Sequence, residues 1–198
     1  MNLGSSTDLI FETFDETVNR FKIPVKEVER GDELILNKNE TESLGLNNQL
    51  KAEILFPVST TSEFKYSRAS SPELIMRIEY GDTHFLLIGG ASLKVQKFIA
   101  NSTSTLRQTN NGVSSDVELA SDVLIIPHGV SSAYLSSNLI NATKPEFVIY
   151  SQNILKSTFN TKGIKTDPLY MILDSNRFNL KQKSTIEVLS DGKSVKIE

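Results

Sequence analysis

Three short, wholly apolar runs recur along the middle of the chain: FLLI at residues 85–88, VLII at 123–126 and FVIY at 147–150. A strand with one wet face alternates apolar and polar residues, so unbroken runs of this length predict strands enclosed on both sides. The segments between them carry helical spacing instead. After Gly89-Gly90, the residues Ala91, Val95, Phe98 and Ile99 fall on one helical face while Lys94 and Lys97 point away, and Leu135, Leu139 and Ala142 share a face before the third run. Strand, helix, strand, helix, strand is the pattern of parallel strands joined by crossover helices. The fold class predicted is therefore α/β, a mixed β-sheet with helices.

The flanks fit around that centre. SSTDLIFETFDETVNRF sets Ile10, Phe11, Phe14, Val18 and Phe21 at helical spacing behind a capping cluster, which predicts an amphipathic helix ending at Ile23-Pro24. VKEVERGDELIL reads as two short strands around Gly31-Asp32, and QLKAEILFP as another strand. In ELIMRIEYGDTHFLLIGG, Leu74, Met76, Ile78 and Tyr80 alternate with Glu73, Arg77 and Glu79, and Gly81-Asp82 supplies the turn of a β-hairpin. The tail STIEVLSDGKSVKIE is a second hairpin by pattern, turning at Asp191-Gly192. Val58 to Pro72 and Asn101 to Ser121 have no period and read as loops.

A chain of 198 residues suits one domain, or one domain with an appended hairpin. With no cysteine, disulfides and thiolate metal sites are excluded, and His84 and His128 are the only imidazoles available to a metal. A net charge of −3 argues against a strongly basic grip on nucleic acid. No apolar run reaches the roughly 18–20 residues that cross a bilayer, which predicts no direct membrane insertion. The acidic N-terminal stretch does not resemble a signal peptide, and the chain reads as soluble.

Candidate sites gather at strand ends. Ligands of α/β sheets sit at the carboxyl ends of strands, which singles out Gly89-Gly90 and Pro127-His128-Gly129. Gly89-Gly90 before a helix could cradle a phosphate on free backbone N–H groups, but neither phosphate-loop spacing is present, and a tight strand-to-helix turn is the simpler reading. His128 is the best single candidate for chemistry, although one imidazole without visible partners also suits a turn cap. His84 reads as a surface or edge residue. Ser131 and Ser132 are explained as helix caps, and Asp15-Glu16 and Asp32-Glu33 as solvated surface.

Taken in order, Lys22-Ile23-Pro24-Val25, ERGDEL, SSPELIMRIEYGDTHFLLIGGAS, SDVLIIPHGVSS, KPEFVIYS and STIEVLSDGKSVKIE resemble the metallo-β-lactamase-fold domain at the C-terminal end of ComEC-type competence proteins of bacteria. That resemblance implies a partial αββα sandwich over residues 1–160 with a C-terminal hairpin extension over 161–198 packed on the same domain. Active members of the family bind metal and are proposed to hydrolyse nucleic acid during DNA uptake. This chain departs from them at the ligands. It contains no H-x-H-x-D-H and is expected to begin downstream of that motif. The metal-bridging aspartate of the TGDA-like turn is replaced by Gly90 in Ile88-Gly89-Gly90-Ala91, and the double-histidine turn retains only His128.

The resemblance therefore implies a pseudoenzyme with a vestigial site at Gly89, Gly90 and His128, no catalytic residue and no metal. Its expected role is binding or scaffolding, with DNA or a membrane channel protein as partner and an extracytoplasmic position beside such a channel. Self-association through an exposed sheet edge is a further expectation. The alternative is one part of a zinc-dependent hydrolase or nuclease whose H-x-H-x-D-H half lies elsewhere.

Overall fold

The computed structural model describes residues 9–36, 49–58, 73–102, 119–126, 135–151, 168–183 and 185–198. The elements in chain order are helix α1 (Leu9–Phe21), strands β1 (Glu33–Ile35), β2 (Leu50–Phe56), β3 (Ile75–Tyr80) and β4 (Thr83–Leu87), helix α2 (Leu93–Ser102), strand β5 (Val123–Ile126), helix α3 (Ser137–Thr143), and strands β6 (Phe147–Tyr150), β7 (Arg177–Asn179), β8 (Val188–Ser190) and β9 (Val195–Ile197). Strands β1 to β7 lie side by side in chain order in a seven-stranded sheet, and β8 with β9 forms a separate two-stranded sheet. From β1 to β4 every pairing is antiparallel. From β4 to β7 every pairing is parallel. The chain thus has the mixed α/β architecture that its alternating pattern predicts.

The apolar runs behave differently on their two sides. Leu86, Leu124 and Val148 stand beside one another in register and are fully buried, under a layer that contains Val95 and Ile99 of α2 and Leu139 and Ile140 of α3. Each such side chain contributes about 1.5–3 kcal/mol relative to an exposed one. On the opposite face, Val123 and Ile149 are buried, while Phe85, Leu87, Ile125, Phe147 and Phe178 are half-buried. Enclosure is complete on the helix side and partial on the other. Phe147 and Phe178 add a tilted ring pair on this second face, with centroids 6.1 Å apart.

Two stretches differ from their sequence patterns. Val25 to Leu36 is predicted as a hairpin, yet only 33–35 form a strand, and that strand pairs with β2. The amides that would build the hairpin are engaged elsewhere: Arg30 N–H donates to the Pro57 carbonyl (2.6 Å) and Gly31 N–H to that of Ile54 (2.8 Å). The Asp32 carboxylate accepts from Glu29 N–H at 3.0 Å and closes a local turn. At the other edge, β7 joins the sheet from a stretch with no strand pattern of its own. α1 forms as predicted, and on it Phe14 is 53% and Phe21 66% exposed while Val18 is half-buried.

Because the core lies between the sheet and α2–α3, Leu124→Ala is expected to cost about 2–5 kcal/mol in urea unfolding. Leu173→Ala, at a side chain 72% exposed, is expected to change stability by less than about 0.5 kcal/mol. Equal losses from the two substitutions would contradict this placement of the core.

Candidate functional site

The corner at the carboxyl end of β4 is built from four consecutive residues. Ile88 is fully buried, and its N–H donates to the Ile125 carbonyl at 3.3 Å, which fixes where the strand stops. Gly89 follows with φ of +49°, and a Cβ there would collide with the Leu74 carbonyl group. Only glycine meets both conditions. Gly90 is different: it is exposed, and a Cβ built on it meets nothing within 4 Å. Ala91 N–H returns to the Ile88 carbonyl at 3.1 Å, and the chain enters α2.

The N-terminus of α2 is satisfied in part by the protein's own groups. Ser92 N–H donates to Glu73 Oε1 at 3.1 Å, the Ser92 hydroxyl lies 3.5 Å from Glu73 Oε2, and Val95 N–H points to Ser92 Oγ at 3.5 Å. A carboxylate at this end is favoured by the helix dipole. It also stands where an incoming phosphate would have to sit, so Glu73 supplies the negative charge that a cradle would otherwise take from a ligand. The corner is a tight strand-to-helix turn with a built-in anion.

Behind it, Gln96 is wholly buried. Its Nε2 donates to the Ala91 carbonyl at 2.8 Å, and its Oε1 accepts from Ser136 N–H at 2.8 Å. One side chain therefore joins the β4–α2 corner to the start of α3. Sequence reasoning passed over both Gln96 and Glu73. The signal available for Gln96 was a long polar residue between Val95 and Ile99 on a helix face that otherwise packs inward.

Gly89 and Gly90 occupy this corner. His128, Ser131 and Ser132 lie outside the described residues. His84 is not an edge residue: it sits on β4, inside the sheet, and is half-buried. Its backbone N–H donates to Asp122 Oδ2 at 2.7 Å, Asp122 N–H donates back to the His84 carbonyl at 2.8 Å, and the imidazole Nδ1 is 4.0 Å from the same carboxylate. Asp122 thus sets the register of β5 against β4. Asp15 and Glu16 are exposed on α1, as expected of solvated surface.

A second polar group, on β1 to β3, was not anticipated. Glu33, Lys51, Glu53, Arg77 and Glu79 line a shallow depression. Glu53 lies directly across from Arg77, and Lys51 across from Glu79. Opposite charges in cross-strand register stabilise a sheet, whereas Glu33 faces the like charge of Glu53 across β1 and β2. Among the described residues, no group of three or more His, Cys, Asp or Glu side chains is arranged to hold a metal ion. Comparison with family models, with curated proteins and with solved structures finds no match.

The geometry separates the two glycines. Gly89→Ala is expected to destabilise the chain by more than about 1 kcal/mol, whereas Gly90→Ala is expected to be nearly neutral in the same denaturation assay. Gln96→Leu leaves the Ala91 carbonyl and the Ser136 N–H without their partner, at about 1–3 kcal/mol for each buried group. A neutral Gln96→Leu would show that the bridge does not hold α2 to α3.

Proposed function

We propose that this chain is a non-catalytic, metallo-β-lactamase-like module related to the ComEC-type DNA-uptake proteins, acting by binding or scaffolding. The observation that carries this reading is the corner at Gly89–Ser92. A strand end, a tight turn and a helix start are arranged as they are where an active relative is expected to place its metal-bridging carboxylate. The residue at that position is Gly90, which has open space for a side chain and offers no side-chain oxygen. Zinc that activates water takes about three protein ligands and one open position. A site that lacks the bridging carboxylate and most of the histidines falls well short of that set.

A binding role is supported by surfaces of a different kind. The second face of the sheet keeps a band of half-buried apolar residues, and α1 presents exposed Phe14 and Phe21. Apolar surface of this sort suits a protein partner better than a polyanion, and a net charge of −3 does not favour a phosphate backbone. Of the two partners that the resemblance implies, a channel protein of the uptake machinery is therefore preferred to DNA. The outer strands β1 and β7 are three residues each. Edges that short offer little template for self-association.

The reading predicts that the protein, purified without chelator, carries zinc, manganese and iron far below one equivalent per chain by plasma mass spectrometry. One tightly bound metal per chain would overturn it and favour the hydrolase alternative.

A further inference from the structure

The two-stranded sheet meets the seven-stranded one tip to tip. Asp82 N–H, in the β3–β4 turn, donates to the Gly192 carbonyl at 2.6 Å, and the Thr83 and Ser190 hydroxyls lie 2.7 Å apart. Gly81 and Gly192 both have positive φ, +59° and +85°, and a Cβ on Gly81 would come within 2.9 Å of the Gly192 Cα. Gly192 is buried although Asp191 and Lys193 on either side are exposed. The hairpin's own turn is firm. The Asp191 carboxylate accepts from Lys193 and Ser194 N–H, each at 2.8 Å, which holds its carboxyl below the usual carboxylate range.

The apolar seat is thin by comparison. Val188 and Ile197 pair across the strands, as do Ser190 and Val195, so these four share the inward side, and the three apolar ones are only half-buried. Leu189, on the outward side, is 44% exposed. A lone two-stranded hairpin is marginal in water, so this one depends on its catch. Below the catch lies Thr83, 1% exposed, at the end of the half-buried apolar face that continues through Phe85 and Leu87.

We propose that β8–β9 is a clasp that opens as a unit from the β3–β4 turn, with the Gly81–Gly192 contact as its catch, uncovering Thr83 and lengthening the apolar face. This goes beyond the functional reading above and does not depend on it. Glu187 and Glu198 exchange backbone hydrogen bonds, so the alternation of an antiparallel pair makes Leu189 and Lys196 the next bonded pair. These four amides report on the clasp in hydrogen exchange of the full chain followed by NMR. They are expected to exchange at least about tenfold faster than those of Leu86, Leu124 and Val148, with a shallower dependence on urea. Gly192→Ala is expected to speed the four hairpin amides about tenfold or more while leaving the three core amides within about twofold. Ser190→Ala, which removes only a hydroxyl, repeats the test in milder form if Gly192→Ala fails to fold. Exchange of hairpin and core at one rate with one urea dependence would overturn the proposal, as would variants that accelerate both regions alike or neither.

Discussion

Strand β4 is the constraint on which the rest of the molecule depends. It is the last antiparallel strand and the first parallel one, so both halves of the sheet take their register from it. Its side chains face two ways. Leu86 and Ile88 enter the core under α2 and α3, while Phe85 and Leu87 open the second face. Its two ends each carry a tight contact: the β3–β4 turn meets Gly192, and the Gly89–Ser92 corner meets Glu73 and Gln96. Asp122 holds it in place against β5 with a pair of backbone-linked hydrogen bonds. Displacing this strand would disturb the helical layer, the corner and the C-terminal hairpin together.

The chemistry of the corner follows from who satisfies whom. Four free N–H groups at a helix start attract negative charge, and in this chain part of that demand is met from within by a glutamate next to β3. A buried amide then spans from the turn to the neighbouring helix, with the Nε2 and the Oε1 of Gln96 both engaged within the protein. In the charged group on β1 to β3, Glu53 and Glu79 stand across from Arg77 and Lys51, while Glu33 stands across from Glu53. Among the described residues, half-buried apolar side chains on the second face of the sheet and the exposed Phe14 and Phe21 of α1 are left to the outside.

Much of this could be read in advance, and the reasons are local. The apolar runs of β4, β5 and β6 and the helical faces of α2 and α3 are legible because burial imposes them, and both hairpin turns carry Gly-Asp or Asp-Gly. The pattern failed where tertiary contacts decide the outcome. Val25 to Arg30 looks like a strand, but where it should turn, the Arg30 and Gly31 amides find the carbonyls of Pro57 and Ile54. β7 is too short to show a period, and its strand state comes from pairing with β6. The corner was legible as a turn, since two adjacent glycines before a helical face allow little else. Its occupants were not: Glu73 is nineteen residues before Ser92 and Gln96 forty before Ser136, and no spacing rule links them. His84 looked peripheral because a histidine after a turn gives no sign that three more strands will lie beyond its own.

The central claim is that the Gly89–Ser92 corner is closed by the protein's own carboxylate and amide. The most direct measurement is an NMR titration of the isotope-labelled chain with inorganic phosphate, following the amides of Gly90, Ala91 and Ser92. No saturable shift is expected at these three positions, because Glu73 already holds the helix start and repels a second anion. A saturable shift centred on Ser92 would contradict the claim, and would reopen the corner as a site for a phosphate-bearing ligand.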